Sequence, residues 1–213
     1  MTDKLVTASL ETLQMVGLSA LWTVVFGGPL GVLLYATAKR GVSPNAPLNR
    51  VLGVIVNIGR SVPFVILMVA IIPFTRVVAG TTIGSTASVV PLAVAAIPFF
   101  ARLVESALIE VDPGVIEAAQ AMGAKRTGIV ARVLIPESLP GLVRALTVTI
   151  VAITGYSAMA GAIAGGGLGD LAIRYGYQRY DAAYMVATVV LLLVIVQIFQ
   201  FAGDLAARRL DHR

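Results

Sequence analysis

Five long stretches with almost no charge limit what this 213-residue chain can fold into. They are residues 13–38, 51–75, 77–101, 145–169 and 182–203, and Arg60 is the one charged side chain inside them. A helix of about 20 residues crosses about 30 Å of hydrocarbon. Backbone polar groups need internal partners there, which favours helices. The sequence therefore predicts an all-α transmembrane protein of five helices, folded as a single domain over residues 1–213.

The basic residues between these stretches predict an orientation. One set of loops holds eleven of them and the other set holds four, with Arg60 uncounted. Because basic loops stay on the cytoplasmic side, the richer set is predicted to lie inside, which places the N-terminus outside and the C-terminus inside. The eleven are Lys39, Arg40, Arg50, Arg102, Lys125, Arg126, Arg132, Arg144, Arg208, Arg209 and Arg213, and the four are Lys4, Arg76, Arg174 and Arg179.

Composition excludes several classes of function. Charged residues make up 13% of the chain, against about 25% in ordinary soluble domains. The net charge of +5 is therefore interpreted as loop charge that sets topology, not as a nucleic-acid surface. There is no cysteine, and the single histidine is His212. The five stretches contain no aspartate, glutamate or histidine, which disfavours a membrane-embedded enzyme and transport coupled to protons or sodium.

Residues 112–136 interrupt the apolar chain with a charged, helix-forming hairpin. Asp112 followed by Pro113 is a typical helix start. Gly123 occupies a position that suits a left-handed turn, and Thr127 is expected to cap a second short helix. An amphipathic hairpin of this kind suits the groove of another protein. A passive channel would have no use for it.

The hairpin carries a recognisable pattern. Glu117-Ala118-Ala119 is followed after three residues by Gly123, and after nine more by Val133-Leu134-Ile135-Pro136. This spacing resembles the EAA loop of ABC-importer permeases, with Val133 and Ile135 as conservative departures. The resemblance implies that Glu117, Ala118, Ala119, Gly123 and Pro136 couple the permease to an ATPase.

Four further segments narrow the resemblance to the methionine-uptake permease subfamily of type I importers. They are RSVPF at 60–64, IIPFTR at 71–76, PFFARLVE at 98–105 and GYSAMAGAIAGGGLGDLAIRYGYQRY at 155–180. The resemblance implies a bacterial inner-membrane location and methionine as cargo, with another small amino acid or peptide as the alternative. Its implied partners are a second copy of this chain, two cytoplasmic ATP-binding-cassette subunits and an extracytoplasmic substrate-binding lipoprotein.

No cofactor is expected in this chain. The phosphate-binding pattern GxxxxGK[ST] is absent from the sequence, so ATP and magnesium are expected in the partner ATPase. Tyr156, Ser157 and Met159 are candidates for the pathway or its gate, because a flexible thioether among small residues can plug a narrow route. Ordinary core packing is the alternative for Met159.

Three other features leave alternatives open. The glycines of segment 160–170 indicate either close helix packing or a re-entrant bend. Tyr175, Tyr177 and Tyr180 suit an interfacial aromatic belt or a contact with the lipoprotein. Arg60 and Glu105 are expected to snorkel or to pair with one another, although intramembrane charges are also functional candidates.

Overall fold

The structure, a computed structural model, describes residues 1–210, which are almost entirely helical and contain no β-strand. The first half contains α1 (Thr2–Thr37), α2 (Ala46–Ser61), α3 (Phe64–Ala70), α4 (Ile72–Ala79) and α5 (Ser85–Ile109). The second half contains α6 (Pro113–Ala121), α7 (Arg126–Ile129), α8 (Ile135–Glu137), α9 (Leu139–Ala160), α10 (Gly167–Leu171) and α11 (Ala182–Leu210). Short π-helical segments at Val130–Leu134 and Ala172–Tyr177 and a 3₁₀ turn at Gly161–Ile163 complete the path.

Within residues 1–210, four helices are long and apolar enough to cross a membrane. They are α1, α5, α11 and α9 with its 3₁₀ extension to Ile163. The predicted stretch 182–203 lies inside α11. The stretch 13–38 lies inside α1 except for its last residue, but α1 begins eleven residues earlier, at Thr2. Helices α2 and α3 pass the same test only when they are counted together, as a fifth crossing that is bent by 101°. The all-α transmembrane prediction is confirmed, with four crossing helices in the described residues, or five if the bent pair of α2 and α3 is one span.

The break between α2 and α3 has a local cause. Pro63 directly precedes α3, and Val62 before it is extended, with φ −79° and ψ 125°. A residue before proline avoids the helical region because the proline ring crowds its backbone. The stretch predicted as one span over 51–75 therefore forms two helices in different directions, followed by the start of α4.

The third predicted span, 77–101, is displaced in the structure. Gly80 and Gly84 have positive φ of 72° and 93°, so the chain leaves α4 at Gly80 and begins α5 only at Ser85. The crossing helix then runs on to Ile109, eight residues beyond the predicted end. The absence of charge in residues 77–101 indicated that this stretch lies in apolar surroundings. It could not locate the turn between α4 and α5.

Helices α1 and α5 pack closely because α1 presents two glycines to α5. A Cβ at Gly27 would lie 2.9 Å from the carbonyl oxygen of Ile97, and one at Gly31 would lie 2.6 Å from Cβ of Val104. Gly27 and Gly31 have the four-residue spacing that lets membrane helices approach closely. Helix α9 packs between α5 and α11, which completes the bundle.

The bundle has two distinct ends. One carries residues 112–136, called the hairpin below, together with the C-terminal ends of α1 and α5. The other carries residues 160–170, called the glycine loop, which meets the N-terminal part of α1 and the start of α5.

Candidate functional site

The first helix of the hairpin begins as the sequence predicts. The Asp112 carboxylate accepts a 2.7 Å hydrogen bond from the backbone N–H of Gly114, and Pro113 opens the first turn. The aspartate satisfies a donor that the helix leaves free, and proline has no N–H to lose at this position. Together they fix where α6 starts.

Gly123 ends α6 in a closed turn. Its φ is +79°, its N–H donates to the carbonyl of Gln120 at 2.9 Å, and the N–H of Ala124 donates to the carbonyl of Ala119 at 3.1 Å. These two bonds form a Schellman motif, which satisfies carbonyls at the helix end and needs a left-handed residue. A Cβ at Gly123 would meet nothing within 4 Å. Backbone conformation, rather than space within this chain, therefore accounts for glycine at this position.

The second half of the hairpin differs from the prediction. Helix α7 begins at Arg126 after Lys125, which supplies no side-chain cap, so Thr127 lies inside the helix instead of capping it. The chain then continues through the π-helical segment and α8 to α9, and Ser138 is the one residue between these helical segments. Pro136 lies exposed in the first turn of α8, where its missing N–H costs little.

Buried side chains fix the hairpin to the bundle. Ala119, Ile129 and Leu134 are 4%, 2% and 0% exposed and belong to the cluster that contains Phe100 and Leu108 of α5. Each apolar group removed from water contributes to holding α6 and α7 against the end of α5. Ala119 thus packs against its own chain.

The opposite face of α6 is exposed. Glu117 and Ala118 lie on it, and the apolar side chain of Met122 at its end is 82% exposed. The apolar side chains of α6 therefore lie on two sides of the helix, since Ile116 packs inward whereas Val115 and Met122 face outward. A rigid turn with an exposed methionine at its tip is suited to docking into a groove of another protein.

The three gate candidates do not share one surface. Tyr156 stacks on Phe64 of α3 with ring centroids 4.9 Å apart. Ser157 is 1% exposed and donates to the carbonyl of Thr154 at 2.8 Å, whereas Met159 is 49% exposed. Val148 and Gly155 are exposed at helical spacing from Met159. The structure therefore places Met159 on an open face of α9 and Ser157 in the packed interior.

The glycine loop is a bend and not a continuation of α9. Gly166 and Gly167 have positive φ of 78° and 73°, and Ala164 also lies in the left-handed region at 60°. Of the two readings of this segment, the structure supports the re-entrant bend. Close packing also contributes, because a Cβ at Gly169 would lie 2.6 Å from Cα of Ala158.

Two side chains of α1 hold the loop where α10 begins. The Glu11 carboxylate accepts from the N–H of Gly167 at 2.7 Å, and the Thr12 hydroxyl accepts from the N–H of Leu168 at 2.9 Å. These N–H groups are free at a helix start, where a negative charge is also favoured. Sequence reasoning missed this cap because the partners are 156 residues apart and no local pattern joins them.

The aromatic residues after α10 have separate roles. Lys4 donates to the Tyr175 hydroxyl at 2.7 Å, and this bond lowers the pKa of Tyr175 below its ordinary value. The Arg179 guanidinium lies 4.6 Å from the centre of the same ring. Tyr177 and Tyr180 are exposed. Tyr175 therefore ties α1 to this segment, while the other two tyrosines remain available at the surface.

The expected pairing of Arg60 with Glu105 is replaced by a contact within α5. The Glu105 carboxylate accepts from Arg102 at 2.6 Å, and Arg102 also donates to Asn57 of α2 at 3.0 Å. These contacts link α5 to α2 near the hairpin end. Glu105 is thereby neutralised by a residue one turn away on its own helix.

The described chain offers no metal centre. Within residues 1–210, no group of three carboxylate or imidazole side chains could hold an ion. The single histidine, His212, and the basic residue Arg213 lie outside the described residues.

Comparison with known proteins agrees with this architecture. Residues 10–213 match the family described as the binding-protein-dependent transport system inner membrane component. The probable D-methionine transport system permease protein MetI of Vibrio cholerae serotype O1 is 56% identical over 212 residues, covering 100% of this chain and 94% of that protein. The methionine import system permease protein MetP of Bacillus subtilis is 46% identical over 206 residues, covering 97% and 93%.

Solved structures show the same fold. A structure described as showing inward-facing conformations of the MetNI methionine ABC transporter, in its native crystal form, contains a chain with a TM-score of 0.98 and 50% identity, with coverage of 100% of this chain and 98% of that one. An amino acid ABC transporter with histidines, at 21% identity and a TM-score of 0.79 over 98% and 94% of the chains, shares the fold. Both the sequence match and the helical architecture lead to one conclusion: the chain belongs to the binding-protein-dependent transport system inner membrane component family.

Proposed function

We propose that this chain is the permease subunit of an ATP-driven ABC importer and that methionine is its cargo. The observation that carries the proposal is the hairpin, a closed turn with an exposed apolar tip between two membrane-crossing helices. The names of the relatives support methionine. Another small amino acid or peptide is the alternative cargo, since nothing in the hairpin selects one.

The hairpin end is assigned to the cytoplasm. Lys125 and Arg126 are exposed on the hairpin, and Lys39 and Arg40 are exposed on the turn after α1. Basic residues concentrate on the cytoplasmic side of membrane proteins. This orientation leaves the N-terminus and the glycine loop outside and brings the hairpin to the side where ATP is available.

Two cytoplasmic ATP-binding-cassette subunits are the proposed partners of the hairpin, and they hold ATP and magnesium. Glu117, Ala118 and Met122 lie on the exposed side of α6, where a groove could receive them. Ala119 and Ile129 hold the base of the hairpin in the bundle. Movement of a docked ATPase would therefore be passed to α5 and α9 as a rigid-body rotation. Gly123 and Pro136 shape the hairpin in this proposal.

A second copy of this chain is proposed to complete the pathway. Val148, Ala152, Gly155 and Met159 follow one face of α9, and this face is not fully covered within the chain. Two such faces related by a twofold axis would enclose a route, with Met159 as the gate. Tyr156 would support this face through its stack on Phe64.

An extracytoplasmic substrate-binding lipoprotein is the proposed partner at the opposite end. Tyr177 and Tyr180 are exposed there beside the glycine loop. Exposed aromatic residues are frequent anchors in protein interfaces. The lipoprotein would deliver methionine to the end of the route that Met159 closes.

Reconstitution tests the proposal directly. The chain would be assembled with its ATPase and binding protein in proteoliposomes, and uptake of labelled methionine would be measured with and without ATP. ATP-dependent uptake that excess unlabelled methionine suppresses is the expected result. If only a different amino acid were taken up, that amino acid would replace methionine as the proposed cargo. Uptake that does not depend on ATP would refute the proposal of an ATP-driven importer.

A further inference from the structure

A cavity of about 640 Å³ lies at the hairpin end, between α6 and the turn that follows α1. It falls within the usual size range of ligand pockets, about 300–1,000 Å³. Its apolar walls come from Ile109 at the end of α5, Val111 in the connection to α6, and Ile116 of α6. Ile116 lines the cavity from the inward side of α6, and the cavity borders the face assigned to the ATPase at Glu117, which also lines it.

Two free cations stand on one side of the cavity. Lys39 and Arg40 line it, and neither forms an ion pair within residues 1–210. Glu117 is the one carboxylate among the lining residues, so the lining has a net charge of +1 from two cations and one anion. The cavity therefore favours an anion.

Tyr35 adds a polar group to the lining of the same cavity. Its side chain lines the space and is 7% exposed, yet its hydroxyl has no hydrogen-bond partner among residues 1–210. Within residues 1–210, the Thr75 hydroxyl is the one fully buried side-chain oxygen without a partner, so the Tyr35 hydroxyl is open to the cavity and can donate to an acceptor oxygen of a ligand there. A phosphate oxygen suits both the phenol and the cations.

The wall that carries the cations is held in place. The N–H of Ser43 donates to the carbonyl of Ala36 at 2.9 Å, and the N–H of Asn45 donates to the carbonyl of Thr37 at 2.9 Å. The Asn49 amide donates to the carbonyl of Leu34 at 2.7 Å. These bonds satisfy the last carbonyls of α1 and fix the turn on which Lys39 and Arg40 stand. The site is thus formed before any ligand arrives.

We infer that this cavity binds one anionic phospholipid, with its phosphate near Lys39, Arg40 and the Tyr35 hydroxyl and its first acyl carbons against Ile109 and Val111. A lipid fits better than a soluble anion because Tyr35 and Ile109 lie near the ends of two membrane-crossing helices. The apolar side chain of Ile109 is exposed there. Basic pockets beside membrane helices bind anionic headgroups in this way. The inference goes beyond the proposed transport function and does not depend on the cargo.

The test measures lipid retention by the purified full-length chain in detergent, using native mass spectrometry. Phosphatidylglycerol and phosphatidylcholine with identical acyl chains are the probes, and inorganic phosphate is added in a third arm. We expect one phosphatidylglycerol per chain to be retained in preference to phosphatidylcholine, with no phosphate adduct. Equal retention of the two lipids, or binding of inorganic phosphate alone, would overturn the assignment.

Matched variants locate the site. Lys39→Ala with Arg40→Ala should weaken phosphatidylglycerol binding about thirtyfold, because each basic contact with an anionic lipid contributes about 1 kcal/mol. Tyr35→Phe should weaken it by a smaller factor while leaving phosphatidylcholine unaffected. The control, Arg208→Ala with Arg209→Ala, removes two exposed charges of α11 away from the cavity and should retain the lipid. Equal loss in both double variants would show general charge attraction and refute the site, and thermal unfolding of each variant confirms that the bundle is intact. Because neither ATP nor cargo is present, a failed transport assay would leave this result unchanged.

Discussion

The carboxylate of Glu11 and the backbone N–H of Gly167 lie 2.7 Å apart, which joins the first helix to the glycine loop across 156 residues of sequence. Thr12 repeats the contact at the next residue of each segment. The position of the glycine loop therefore depends on α1, a helix that the sequence suggested only as a membrane span.

Removing this contact should loosen the loop. Glu11→Ala is expected to lower the free energy of unfolding by about 1–3 kcal/mol, since it leaves a partly buried N–H without its charged acceptor. Glu11→Gln keeps an acceptor oxygen and should lose less. Thermal unfolding in detergent is the measurement, with Asp204→Ala as a control for removing an exposed carboxylate. Equal losses for Glu11→Ala and Asp204→Ala would show that the cap has no specific effect.

The orientation can be tested with single cysteines, because the chain contains none. Ala46 and Gln178 are exposed at opposite ends of the bundle. A cysteine at position 46 is expected to react in intact spheroplasts only after a reagent has entered the cytoplasm. A cysteine at position 178 should react with an impermeant reagent from outside. The reversed pattern would overturn both the orientation and the coupling proposal.

The turn at Gly123 provides a test of coupling. Gly123→Val forces a β-branched residue into φ +79°, a strain of about 1–2 kcal/mol. We expect uptake to be abolished or the ATPase to be released, with membrane insertion and abundance nearly unchanged. Uptake and ATPase retention are measured on the same preparation.

Two matched variants separate backbone strain from bulk. Gly123→Asn tolerates the left-handed conformation and should keep more activity than Gly123→Val. Gly128→Val adds the same side chain in the hairpin at a glycine without positive φ and with no atom within 4 Å of its Cβ. It should be the milder change. Wild-type uptake by Gly123→Val with the ATPase still bound would rule out the hairpin as the coupling element.

Met159 is the proposed gate because its flexible side chain is exposed on the open face of α9, next to the small residues Ala152 and Gly155. Met159→Ala should raise substrate leak or basal ATP hydrolysis in the assembled complex, since a flexible plug is removed. Val148→Ala changes the same face three turns away and should leave the leak low. Leak and hydrolysis at wild-type levels in Met159→Ala would leave only a packing role for this methionine.

The proposed homodimer makes a prediction about Gly155. If two copies meet across the open face of α9, a cysteine at position 155 should form an intermolecular disulfide on oxidation. Leu193→Cys, on an exposed part of α11, provides the control and should remain monomeric on a non-reducing gel. Cross-linking at position 193 without any at position 155 would place the interface on α11 instead.

The sequence by itself determined that this protein lies in a membrane, and it determined the local turns. Long uncharged stretches required lipid-exposed helices, because helices satisfy their backbone groups without outside partners. Asp112, Pro113 and Gly123 marked the start and end of α6 correctly, since capping depends on neighbours only a few residues away.

The tertiary structure decided what depends on residues far apart in the chain. The sequence could not assign Ala119 to the interior and Met122 to the surface, because that choice depends on how the hairpin meets α5. It also could not pair Glu11 with Gly167 or separate Met159 from Ser157. The hydrophobicity of a segment follows from its own residues. The contact partner of a side chain is determined only when the helices pack together. That packing alone created the cavity beside Tyr35.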